Sequence, residues 1–122
     1  MSNYWDRWYY LDGDNLPVKC ACADDMSKVE DSKSRTHLRT ETPHGTVSTV
    51  FLGLDHAFND APPVLWETLV FGGKFDQDGM RYGTQEAATE GHAAYLRKVR
   101  GLSFTDEYLA IYRTEFNRVK RA

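Results

Sequence analysis

Four side chains in this chain have the types needed for acid–base or metal chemistry: the adjacent Asp55 and His56, then Glu67, and farther on His92. A carboxylate held among apolar neighbours has a raised pKa, which suits a general acid. An imidazole at a strand end can serve as a base, a metal ligand or a donor to phosphate. The four also supply metal-ligand types, but not the regular spacing of a known site, so no metal is assigned. For Glu67, His56 and His92, the weightier reading is structural. Glu67 would be satisfied by Arg81, Arg39 or Arg35, because buried carboxylates persist only when paired. His56 would cap the loop 57–63 through a backbone hydrogen bond, and His92 would be a satisfied core group. No Gly-rich phosphate loop, G-x-S-x-G elbow or H-E-x-x-H string occurs. No catalytic residue is therefore fixed, and no cofactor is expected.

Two β-rich segments must position the first three of these groups. Residues 46–55 and 64–72 are dominated by β-branched and aromatic residues and read as strands. Paired as a hairpin about a loop centred near Asp60, they set Leu54 opposite Trp66, Leu52 opposite Thr68 and Val50 opposite Val70. On the other face Phe51 meets Leu69, Gly53 meets Glu67 and Asp55 meets Leu65. Glu67 would then lie beside the space left by a glycine and diagonal to Asp55. A one-residue slip would separate the two acids.

The remaining elements are read the same way. Residues 4–11 form an aromatic strand ended by the turn residues Asp12-Gly13-Asp14-Asn15, and 16–23 return as an edge strand. Residues 24–30 read as a short helix with acids at its N-terminal end. Strands follow at 37–42 and 80–82, the first ended by the turn Pro43-His44-Gly45. Thr84 caps a helix to about Arg100 whose stripe is Ala88, His92, Tyr95, Leu96 and Val99. Ser103 and Asp106 resemble the capping box of a last helix, to about Lys120, with Tyr108, Leu109, Tyr112, Phe116 and Val119 on one face. The expected fold is α+β: one domain over residues 1–122, with an antiparallel sheet of four to five strands and two C-terminal helices packed on one face.

A binding role is carried by the aromatics. In an N-terminal strand Tyr4, Asp6, Trp8 and Tyr10 share one face, Trp5, Arg7 and Tyr9 the other, and an exposed aromatic face with an arginine can stack a base or anchor a protein. Trp5, Arg7, Trp8, Tyr10, His56, Arg81 and Tyr82 are the candidate binding residues.

Composition narrows the classes. The chain has 122 residues, 41% hydrophobic and 13% aromatic, which is enough to fold around a core. A formal net charge of −3 provides no global field towards nucleic acid or an anionic membrane. The basic residues gathered after Arg97, up to Arg118, Lys120 and Arg121, are better explained by the negative ends of helices. Cys20 and Cys22 form a lone C-x-C pair that points one way in a strand, and two unbridged thiols fit a reducing cytoplasm. No stretch approaches the roughly 20 apolar residues that span a bilayer, and the N-terminus lacks the pattern of a signal peptide.

Three segments in order carry a resemblance: VSTVFLGLDH at 47–56, PPVLWETLVFGG at 62–73 and RYGTQEAATEGH at 81–92, with Glu30-Asp31-Ser32 upstream. This pattern resembles that of a group of small bacteriophage proteins with no assigned activity. It covers roughly residues 29–99; the helix at about 103–121 looks like an extension, and the upstream helix is more polar than the pattern leads one to expect. The resemblance implies a phage or prophage source and an accessory role in the host cytoplasm. The leading expectation is a protein that binds a host protein, in anti-defence or host takeover, rather than an enzyme. Two alternatives stand beside it: a binder of a nucleotide or other small phosphorylated ligand, and a small hydrolase using Asp55, His56, Glu67 and His92. A homodimer is compatible with the aromatic N-terminus; a nucleic-acid partner is not favoured.

Overall fold

The computed structural model describes residues 5–57 and 61–101. The aromatic N-terminus and its return form a small antiparallel sheet, β1 (Tyr9–Leu11) with β2 (Pro17–Lys19), paired Tyr9 to Lys19 and Leu11 to Pro17. The turn between them is held by Asp12, whose Oδ1 accepts from the N–H groups of Asp14 and Leu16. A helix α1 (Met26–Thr36) follows. Then β3 (Leu38–Thr42), β4 (Gly45–Phe51), β5 (Trp66–Phe71) and β6 (Gly79–Tyr82) make a four-stranded antiparallel sheet in sequence order. Helix α2 (Gln85–Val99) lies across one face of it. The class is α+β, with two sheets in place of the single one expected. The last predicted helix, and the loop tip near Asp60, lie outside the described residues.

The period-two pattern explains which face α2 covers. Val47, Thr49 and Phe51 of β4 and Trp66, Thr68 and Val70 of β5 are all buried on that face. Phe51 and Trp66 are cross-strand partners whose rings meet edge to face, 5.1 Å between centroids, a contact that contributes about 0.5–1.5 kcal/mol beyond its area. Thr84 caps α2 by accepting from the Ala87 N–H. Gly91 is buried in mid-helix for a packing reason: a Cβ there would fall 2.0 Å from the Tyr82 hydroxyl.

Helix α1 is longer than its apolar content suggests. Its buried positions, Val29, Ser32 and Thr36, keep helical spacing, but two of the three are polar. Both hydroxyls are satisfied locally: Ser32 Oγ donates to the Lys28 carbonyl and accepts from the Leu11 N–H, and Thr36 Oγ1 donates to the Ser32 carbonyl. Glu30 pairs with Lys33 and Asp31 with Arg35 along the helix, and the buried Asp25 at its N-cap pairs with Lys28.

The register of the central hairpin departs from expectation. Val50, not Gly53, stands opposite Glu67, and Thr49 opposite Thr68. Strand β4 stops at Phe51, and Gly53 turns the chain away with φ +78°. Leu52 N–H still bonds the Leu65 carbonyl, and His56 N–H bonds that of Val64. The three residues between them bulge out to meet the N-terminus instead. Tyr9 N–H donates to the Gly53 carbonyl, Asp55 N–H donates to that of Arg7, and Trp8 bridges Leu54. Trp8 and Val29 occupy the space beside Gly53, where a Cβ would lie 2.6 Å from Val29 Cγ1. A three-residue excursion changes the parity of the pairing, so β4 turns over relative to β5.

The N-terminal strand is also shorter than expected: Trp5–Arg7 form a turn, closed by Trp8 N–H to the Trp5 carbonyl. Cys20 and Cys22 are free thiols, but the chain leaves β2 at Lys19, so Cys20 is buried and Cys22 exposed rather than sharing a face. No helix among the described residues is long and apolar enough to cross a membrane.

Candidate functional site

The bulge at 53–55 and the β1–β2 hairpin together wall an open cavity of about 560 Å3, lined by Asp6, Arg7, Tyr9, Lys19, Asp55, His56, Ala57 and Arg81. That volume falls in the range of small-ligand sites. Each lining group is placed by a local cause. The turn at Trp5–Arg7 swings Arg7 over the loop, where its guanidinium donates to the backbone carbonyls of Asp55 and Ala57. Antiparallel pairing sets Tyr9 beside Lys19. Arg81 stands opposite Glu67, and Nε donates to Glu67 Oε2 at 2.9 Å.

The cavity is lined by charges of both signs, Arg7, Lys19 and Arg81 with Asp6 and Asp55. Arg7 is held by carbonyl oxygens, not by a carboxylate, so its charge is not neutralised by an ion pair among the described residues. Lys19 likewise has no ion-pair partner among the described residues. Of the lining acids, Asp55 accepts through Oδ1 from the N–H groups of Ala57 and Val64. It is therefore Asp55, not His56, that caps the loop by its side chain. The His56 ring makes no hydrogen bond among the described residues and lines the cavity.

The four candidate chemical groups do not converge. Glu67 sits on the face away from α2, beside Val50 and Arg81, with its side chain 20% exposed. This is a different setting from the apolar slot opposite Gly53, and the three-residue shift in register is the reason. His92 lies on the other face, buried beneath α2. Its Nδ1 is 2.7 Å from Thr49 Oγ1, its Nε2 is 3.0 Å from Thr40 Oγ1, and Thr49 Oγ1 is 2.7 Å from Thr68 Oγ1. Burial, and then the nearby His37, lower the pKa of His92 and keep the ring neutral. A neutral imidazole donates through one nitrogen and accepts through the other, and threonine hydroxyls take either role. The chain of four groups is thus closed, and it holds the sheet to the helix.

Of the candidate binding residues, Arg7, His56 and Arg81 share the cavity. Trp8 packs beside Gly53 and beneath Lys33, its ring 5.4 Å from Nζ, and Tyr10 lies 4.9 Å from Lys28 Nζ. Tyr82 is buried against Gly91, and Trp5 is half-buried in its turn. The sequence reading missed Lys19 and Tyr9 as lining residues. The signal was present, since the Asp12–Asn15 turn pairs them across the hairpin.

A further pair was not anticipated: His37 Nε2 lies 3.0 Å from Ser48 Oγ, the distance of a nucleophile and its base. Ser48 is buried, and no carboxylate orients the His37 ring among the described residues, so the pair is not a triad. Nor do three or more His, Cys, Asp or Glu side chains cluster to hold a metal among the described residues.

Comparison of the chain with protein-family models, with curated proteins and with solved structures gave no match.

Proposed function

We propose that this is a binding protein that takes a small phosphorylated ligand in the cavity of Arg7, Lys19, His56 and Arg81. One observation carries the reading: Arg7 and Lys19, which have no carboxylate partner among the described residues, line one cavity with the His56 imidazole, which makes no hydrogen bond among them. Arginine and lysine suit phosphate oxygens, and His56 can donate to them. Tyr9 provides a ring against which a base or other flat group can stack. The hydrolase reading is the weaker one, because Glu67 and His92 lie on opposite faces of the sheet.

The test is a thermal-shift titration with inorganic phosphate and a panel of nucleoside mono-, di- and triphosphates. A ligand at 100 times its Kd stabilises by about 2.7 kcal/mol, which raises Tm by roughly 10 °C in a domain of this size. Lys19→Gln, at an exposed position, should remove most of the shift. No shift with any member, or an undiminished shift in Lys19→Gln, would refute the proposal.

The host-protein reading is favoured by a different feature. The face of the sheet away from α2 carries Leu69 and Phe71 along β5 and Val50, diagonal to Leu69, on β4, and Phe71 is 44% exposed. The bacteriophage resemblance supports a partner from the host cytoplasm, in an anti-defence or takeover role. On this reading, a partner recovered from host lysate by the wild type is lost with Phe71→Asp.

A further inference from the structure

Strand β3 is an edge: β4 lies on one side of it, and no strand lies on the other among the described residues. Its pairing with β4 runs unbroken from Leu38–Thr49 to Thr42–Gly45, so the strand is regular along its whole length. Helix α2 contacts the sheet chiefly over β4, β5 and β6; it reaches β3 on one face, where His92 meets the Thr40 hydroxyl, and no element among the described residues pairs with the outer edge of β3. Open edges of this kind invite another strand, and proteins blunt them with bulges, prolines or unmatched charges. Strand β3 has no proline and no bulge within it. Its two charges, Arg39 and Glu41, are of opposite sign and symmetric about Thr40.

That symmetry decides what the edge accepts. Turned antiparallel about Thr40, a second β3 sets Arg39 opposite Glu41 and Glu41 opposite Arg39, with Leu38 opposite Thr42. Opposite charges directly across an antiparallel pair stabilise it, whereas like charges oppose it. Arg39 and Glu41 already meet within one strand at 3.2 Å, both largely exposed. A second copy would make them a ring of four alternating charges. The same pairing covers Leu38, which is 38% exposed on this edge. A two-fold axis through Thr40 keeps both α2 helices on one face, because directly paired residues share a face.

We propose that two copies of this chain pair through β3, antiparallel about Thr40, into one continuous eight-stranded sheet. A five-residue strand makes a small interface, so the association is weak and reversible, with Kd between about 1 μM and 1 mM. None of the cavity residues takes part, so the dimer stands whether or not the ligand proposal does.

Sedimentation equilibrium of the full chain, up to about 1 mM, tests it. The wild type should show a reversible dimer. Arg39→Glu puts four acids together and Glu41→Arg puts four cations together, so each alone should be monomeric. An equimolar mixture of these two variants should dimerise, and the double variant R39E/E41R should regain dimerisation by itself. Circular dichroism checks that all variants fold, which the exposure of both positions favours. A wild type that stays monomeric throughout would overturn the proposal. So would single variants that dimerise like the wild type, or a mixture that remains monomeric.

Discussion

Replacing Thr49 by valine keeps the shape of the residue and removes one hydroxyl, but that hydroxyl has two partners. Thr49 Oγ1 bridges His92 Nδ1 and Thr68 Oγ1, both at 2.7 Å, in a region where Thr49 and Thr68 are at most 1% exposed. Neither partner can turn to water. Leaving a buried polar group unsatisfied costs about 1–3 kcal/mol, and here there are two. The added methyl returns about 0.8 kcal/mol. Thr49→Val should therefore destabilise by about 2–4 kcal/mol. Thr68→Val removes only the end of the chain and should cost about 1 kcal/mol. In the double variant Thr68 no longer has a hydroxyl to strand, so the combined cost falls short of the sum by about 1–2 kcal/mol. Urea unfolding at pH 8, where the ring is neutral, measures all four proteins as shifts of midpoint at constant slope. A cost below about 0.5 kcal/mol for Thr49→Val, or strictly additive values, would refute the closed network.

Two further outcomes follow from the same packing. The folded pKa of His92 is lowered, so the unfolded chain binds the extra proton first and stability falls with acidification. The loss begins as pH drops through about 6.5, the ordinary histidine value, and levels off below the folded value; His92→Gln should flatten that part of a midpoint-against-pH curve. Gly53→Ala should cost about 2–4 kcal/mol by thermal or urea unfolding, because it combines a φ of +78° with a Cβ 2.6 Å from Val29; a neutral result would mean that the bulge can close.

Much of this architecture could be read from the sequence, for identifiable reasons. The six strand segments and the capped helix over 85–99 announce themselves by β-branched residues, turn residues and the Thr84 cap. The true length of α1 does not, because serine and threonine fill its buried stripe and local hydrogen bonds replace apolar burial. The hairpin register was hidden for another reason. It depends on Trp8 and Tyr9 drawing Gly53–Asp55 out of the sheet, a contact between distant segments that no local pattern encodes. With the register went the expected environment of Glu67. Arg81 was among its foreseen partners, and His92 behaves as the satisfied core histidine its helical stripe suggested. The cavity was half-legible: Arg7, His56 and Arg81 were singled out, whereas Lys19 and Tyr9 required the pairing of a hairpin.

The bridge from Trp8 to Leu54 also sets a clock on biosynthesis. The β1–β2 hairpin closes over a short turn and can form soon after it emerges, but its docking strand is made 46 residues later. At about 5–20 residues per second, that interval is about 2–9 s. Throughout it Trp8 lacks the part of its docking surface that Gly53–Asp55 supply, although Val29 and Lys33 of α1 are made sooner.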